Sequence, residues 1–135
     1  MANIPERLKD ADGKEVVILE GASHNITGTL KDLNDPSATI TSITTLVVAI
    51  YDEASGDVIV AEEDANGANG HSFTSGVVVI EVDPGDNIIK HPTNVARGDL
   101  EWHTCRLTWT WSDGNSTRTG RKEYRFPVKR LKATQ

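Results

Sequence analysis

His103 and Cys105 stand two positions apart, so on an extended strand both side chains leave from the same side. With His91 upstream they form the nearest approach in this chain to a metal-ligand set, or to a thiol with an imidazole base. Cys105 is the sole cysteine in 135 residues, which excludes an internal disulfide and a paired-cysteine zinc site. A lone thiol flanked by apolar residues behaves as a small hydrophobe. The expectation is therefore a core Cys105 beside Leu107 and Trp109, with His103 at the rim of the same face.

Other polar clusters fall short of a site for similar reasons. Glu62, Glu63, Asp64, Asn66 and Asn69 offer oxygen ligands around Gly67, but Ala68 and Ser75 occupy places where an EF-hand loop needs a ligand. A solvated loop over residues 62–70 is the simpler reading. Glu81 and Asp83 flank a strand-to-turn junction and lack the apolar pocket that would separate two carboxyl pKa values, so a glycosidase pair is not expected. Neither a phosphate-cradling glycine motif nor a nucleophile elbow is present. No catalytic residue, cofactor or metal is assigned, and the chain is not expected to be an enzyme. Trp102 has the opposite strand parity to Trp109 and Trp111. It is thus the one tryptophan that could serve as a contact residue, stacking on a sugar with help from Glu62, Glu63 and Asp64, or that packs instead under the loop of residues 90–99.

Charge is distributed unevenly. The whole chain carries −6, yet residues 1–100 hold 17 acids against 6 bases while residues 101–135 hold 3 acids against 8 bases. Arg118, Arg121, Lys122, Arg125, Lys129, Arg130 and Lys132 place a basic ribbon on the last strand and tail. Three readings stay open: pairing with the domain's own acids, docking of an acidic protein surface, or nucleic acid, the last disfavoured by the acidic total.

The elements that must hold these residues are strands. Residues 40–51 are β-branched and threonine-rich, and they run into Asp52-Glu53-Ala54-Ser55-Gly56-Asp57, a hairpin turn that returns through residues 58–61. Residues 24–30 put Ile26 and Leu30 on one face with Gly28 between them. Residues 77–82 form an apolar run stopped by Asp83-Pro84-Gly85-Asp86. Residues 101–111 alternate, with Cys105, Leu107, Trp109 and Trp111 on one side. An Asp113-Gly114 turn then leads back through residues 117–131. Pro127 cannot donate to a ladder, so that last strand is expected at an edge or with this position turned outward. The pattern predicts an all-β, immunoglobulin-like antiparallel sandwich of about seven strands over residues 16–131. An extended N-terminal arm (1–15) and a short C-terminal tail (132–135) flank it. The charged first 21 residues lack the apolar core of a secretory signal, and no stretch is long and apolar enough to span a bilayer as a helix.

Several of these segments carry a resemblance. The run 43–59 with its Tyr51-Asp52-Glu53-Ala54-Ser55-Gly56 hairpin and the turn at 65–70 belong to it. So do the strand and Pro-Gly-Asp stop of 79–86, the Glu101-x-His103 strand ending at Trp111, and the closing Phe126-Pro127-Val128-Lys129-Arg130-Leu131. Together, over roughly residues 18–131, they resemble a group of small immunoglobulin-like structural proteins of tailed bacteriophages. The resemblance implies a virion component of the head, neck or tail, assembled in the host bacterial cytoplasm and acting without catalysis or cofactor. Its implied partners are other virion proteins, such as capsid, portal, connector or tail proteins, and copies of itself. A membrane is not among them. A carbohydrate-binding or host-adhesion module built on Trp102 is the alternative.

Overall fold

The computed structural model describes residues 6–10, 12–32, 35–91, 99–112 and 114–131, with the backbone alone for 32 and 35–39. The chain is an all-β sandwich. Eleven strands follow one another among the described residues: β1 Glu6–Arg7, β2 Ile18–Leu19, β3 His24–Thr29, β4 Lys31–Asp32, β5 Asp35–Thr39, β6 Thr45–Asp52, β7 Val58–Asp64, β8 Ser72–Thr74, β9 Val77–Val82, β10 Leu100–Ser112 and β11 Thr117–Lys129. Seven of them have five residues or more; the other four are short pieces of two or three.

The larger sheet runs β1-β11-β10-β6-β7, with β2 also on the outer edge of β11. The smaller runs β3-β9-β8, and β4-β5 is a separate hairpin. Alternation along each strand sends one side chain of every two inward. Ile26, Val78, Ile80 and Val82 from the smaller sheet meet Leu46, Val48, Ile50, Cys105, Leu107, Trp109, Phe126 and Val128 from the larger one. Each fully buried aliphatic or aromatic side chain of this kind contributes about 1.5–3 kcal/mol relative to exposure, an upper range for a chain already partly collapsed when unfolded.

Two glycines are placed by close approach rather than by turn geometry. A Cβ at Gly28 would overlap the Tyr124 hydroxyl, and one at Gly120 would overlap the Trp109 indole. The gap that Gly28 leaves between Ile26 and Leu30 is where Tyr124 lies. At Gly56 the left-handed φ of 78° closes the β6–β7 turn, with Asp52 N donating to Asp57 O and Gly56 N to Asp52 O, both at 2.8 Å.

The strands themselves depart from the sequence reading in these respects. The strand expected from residue 40 begins at Thr45, because Ile40 N donates to Leu30 O and so belongs to the β4–β5 side. The loop expected from residue 62 is strand as far as Asp64, since Val48 pairs with Glu63 and Val47 with Asp64. The segment expected as an arm pairs Glu6 and Arg7 with Tyr124 and Arg125 and buries Leu8.

Pro127 sits between those attachments. Leu8 N donates to Arg125 O and Glu20 N to Lys129 O, so odd-numbered residues of β11 turn their backbone groups away from β10. The donor that proline lacks is therefore one the β10 ladder never uses.

Candidate functional site

The register of the large sheet assembles the chemistry-bearing residues at one end of the sandwich. Asp52 at the end of β6 pairs directly with His103 on β10, and Glu101 lies two residues along the same face. All three are buried, at 2%, 0% and 5% exposure, with their ligand-type atoms within 4.8 Å of one another. The parity that puts Cys105 inside puts His103 and Glu101 there too. His103 is thus in the interior rather than at the rim where the sequence reading set it.

Each carboxylate is occupied by a loop. Glu101 Oε1 accepts from Lys90 N at 2.5 Å and from His103 Nε2 at 2.7 Å, while Oε2 accepts from His91 N at 2.8 Å. Asp52 Oδ2 accepts from Ser55 N (3.1 Å) and Ser55 Oγ (2.6 Å), fixing the β6–β7 hairpin. His91 Nε2 stands 3.6 Å from Asp52 Oδ2, 2.9 Å from Asp57 Oδ2 and 3.1 Å from Ser55 Oγ. The cluster thus ties the hairpin after β6 to the segment before β10. These are the two segments that carry the Tyr51–Gly56 and Glu101-x-His103 parts of the resemblance.

Burial lowers the His103 pKa, while the hydrogen bond and charge of Glu101, and the charge of Asp52, oppose that shift. The neutral ring carries its proton on Nε2 to reach Glu101. Its Nδ1 has no partner among the described residues. A metal on Nε2 would move that proton onto Nδ1, where nothing described receives it, whereas histidine ligands ordinarily donate their second N–H. Asp52, Glu101 and His103 are therefore close enough to hold an ion, but hydrogen-bonded as a lock. Of the three residues that composition suggested as ligands, His91 and His103 come to either side of Asp52. Cys105 is fully buried, and burial pushes its thiol up to about 12, far from a thiolate.

Behind this cluster the buried polar region continues. His103 and His24 each set an edge against Phe126, with ring centroids 5.8 and 5.1 Å away. Asn87 Nδ2 donates to Ala22 O at 2.5 Å and lies 3.0 Å from His24 Nδ1. Burial first, then the proximity of His103, lowers His24 to about 4.

In front lies a cleft of about 450 Å³ lined by Asp52, Glu53, Ser55, His91, Glu101 and Trp102, with Ala54 and Leu100 completing it. Trp102 is half-buried on the outer face, as its parity predicts. Its ring is flanked by two guanidinium groups, Arg125 at 3.9 Å and Arg7 at 4.6 Å from the centroid. Arg125 in turn makes a two-point ion pair with Glu53, with Nε and NH2 each 3.0 Å from a carboxylate oxygen. The acids 62–64, expected to assist Trp102, are on β7 near the level of Leu107, about 16 Å along the sheet at strand rise.

The basic ribbon divides by parity. Register sets Arg121, Arg125 and Lys129 on the outer face with Thr108, Thr104 and Leu100, and Arg118 and Lys122 on the opposite side with Trp111 and Leu107. Arg130 is buried, its backbone N donating to Asp99 O. Lys132 lies outside the described residues. Lys122 is 3.1 Å from Glu6, and Arg106 on β10 is 3.5 Å from Glu62. Part of the ribbon thus meets the domain's own acids, each exposed pair contributing less than about 1 kcal/mol. On the same outer face the Tyr51 hydroxyl donates to Glu123. Burial, then that carboxylate, pushes Tyr51 up to about 12.

The residues that sequence reasoning missed are Asp52 and Glu101. Asp52 reads as a turn acid, and only its pairing with His103 shows it to be inside. Glu101 carried a signal, since it shares the parity of Cys105, Leu107 and Trp109. Comparison with known protein-family models and with curated proteins finds no match to this chain.

Proposed function

We propose that this chain is a non-enzymatic structural subunit of a tailed-bacteriophage particle, an immunoglobulin-like decoration, neck or tail-accessory component acting through protein–protein contacts. The observation that carries the reading is the use made of Asp52, Glu101 and His103. The groups best suited to chemistry are spent internally, holding two loops against the end of a sheet. Such a lock suits a rigid domain that works through its exterior. The resemblance joins the same two segments that the lock joins, and the opposed charges of the two halves of the chain suit contact between unlike surfaces.

The test is sedimentation of particles grown from a phage genome that carries a tagged copy of this chain. The tag is expected to travel with the particles through a density gradient at a constant ratio to capsid protein. A tag left wholly among the soluble proteins overturns the proposal.

A carbohydrate-binding reading has one observation in its favour, the half-exposed Trp102 on the wall of the cleft. The guanidinium groups of Arg7 and Arg125 already occupy positions at its ring, and a sugar would have to displace at least one of them. Glycan-array binding that disappears in Trp102→Ala would support this reading, and an array with no bound glycan would remove it.

A further inference from the structure

The two long edges of the larger sheet carry opposite charge. At one edge lies β7, with no strand on its far side among the described residues, ending in Glu62, Glu63 and Asp64. At the other edge lies β11. There β1 covers Tyr124 and Arg125, and β2 covers Val128 and Lys129, but no described strand lies beside residues 117–122. That open stretch contains Arg118, Arg121 and Lys122. By the parity fixed at Arg125 and Lys129, residues 117, 119 and 121 turn their backbone N–H and C=O outward there.

We infer that β7 of one copy adds to the open stretch of β11 on the next, continuing the sheet from subunit to subunit. The inference rests on the reading of the chain as an assembly subunit. It names the second copy as the occupant of both edges.

Three features of the geometry support it. The first is direction. β11, β10, β6 and β7 are successively antiparallel, so β7 runs opposite to β11, and sideways displacement of a copy brings the two together as an antiparallel pair. The second is level. Following the register across the sheet, Glu63 lines up through Val48 and Leu107 with Lys122, and Asp64 lines up through Val47 and Thr108 with Arg121. Because β1 already occupies the level of Val58 and Val60, the incoming strand must slide toward Thr117. A slide by an even number of residues keeps every side chain on its face and leaves the acids within the basic stretch.

The third is sign. Charges on sheet edges normally keep copies apart. Here Glu62, Glu63 and Lys122 also meet Arg106, His71 and Glu6 of their own domain, but one edge is on balance acidic and the other basic, so the same charges draw unlike edges together and hold like edges apart. Contact between unlike surfaces is heterologous. With the twist that each strand adds, it closes into a ring or winds into a filament instead of stopping at a dimer.

The test uses the purified full chain in sedimentation-velocity runs across a salt series, with three variants. R118E/R121E makes both edges acidic, and E62K/D64K makes both basic. Thr119→Pro removes one outward N–H without changing charge, at a position of the same parity as Pro127, where the strand already accepts proline. Circular dichroism melts confirm that each variant is folded.

The wild-type chain is expected to form oligomers that weaken as salt rises past about 0.15 M, where the Debye length is near 8 Å. Each variant alone is expected to associate at least about tenfold more weakly. Mixing the two charge variants is expected to restore association, since each then supplies the edge the other lacks. Wild-type chains that stay monomeric at low salt overturn the inference, as does a folded Thr119→Pro that associates like wild type. Monomeric chains whose tagged form still travels with particles would overturn this contact while leaving the proposed function standing.

Discussion

Acid should weaken this fold through His24, and the amount follows from its surroundings. The ring lies against Phe126, takes its place beside Asn87 and is held near a pKa of about 4 by burial and by His103. In the unfolded chain the same group titrates near 6.5. Because the folded value is the lower one, the unfolded state takes up the proton first. The stabilising contribution is complete above pH 6.5 and is lost as pH falls toward 4. At 1.36 kcal/mol per unit, the separation amounts to about 3 kcal/mol in full, and to roughly 1.4 kcal/mol by pH 5.5. His103, also lowered chiefly by burial, adds in the same direction. Asp86, raised by burial and by Asp83 and Glu63, acts in the opposite one, gaining stability as it protonates. Urea unfolding of wild type and His24→Gln at pH 7.5, 5.5 and 4.5 separates these, because the glutamine can still accept from Asn87 but cannot titrate. The wild type should lose more stability than the variant between pH 7.5 and 5.5, by roughly 1.4 kcal/mol. Parallel curves for the two proteins would show that His24 is not the group through which acid acts.

Further outcomes follow from single contacts. Gly28→Ala should cost about 1–3 kcal/mol in urea unfolding by driving a methyl into the Tyr124 hydroxyl, and combining it with Tyr124→Phe should recover part of that loss. Glu101→Gln should destabilise the fold by about 2 kcal/mol or more, since one amide N–H must then face the Lys90 or His91 donor. Hydrogen exchange at Lys90 and His91 should rise in the same variant, whereas unchanged exchange there would remove the lock. Cys105 should resist a thiol reagent in the folded chain and react only on unfolding. Rapid labelling of the native protein would contradict its burial.

Much of the fold could be read from the chain because alternation is a local signal. β9 spans the very run 77–82, and β6 through β7 follow the hairpin written in Asp52 to Asp57. Cys105, Leu107, Trp109 and Trp111 face inward as their parity requires. What could not be read locally was register. Glu62 to Asp64 look like loop residues until β6 is placed beside them, and Asp52 looks exposed until it is paired with His103. The short strands β1 and β2 exist only because β11 offers them an edge, and two-residue segments leave no periodic trace. Trp102 was legible by parity as a contact candidate, but its cover joins Arg125 from the neighbouring antiparallel β11 to Arg7 from a parallel strand arriving from the far end of the chain. The basic ribbon reads as one feature in the sequence and becomes two faces once alternation is applied to β11.

The role proposed for this domain is that of a building block of a particle. Its most direct test is gold labelling of a tagged copy on intact virions viewed by electron microscopy. Gold is expected at one defined location, whether the head surface, the neck or the tail, recurring from particle to particle. Virions that carry no gold while the tagged chain is plentiful in the lysate would contradict it.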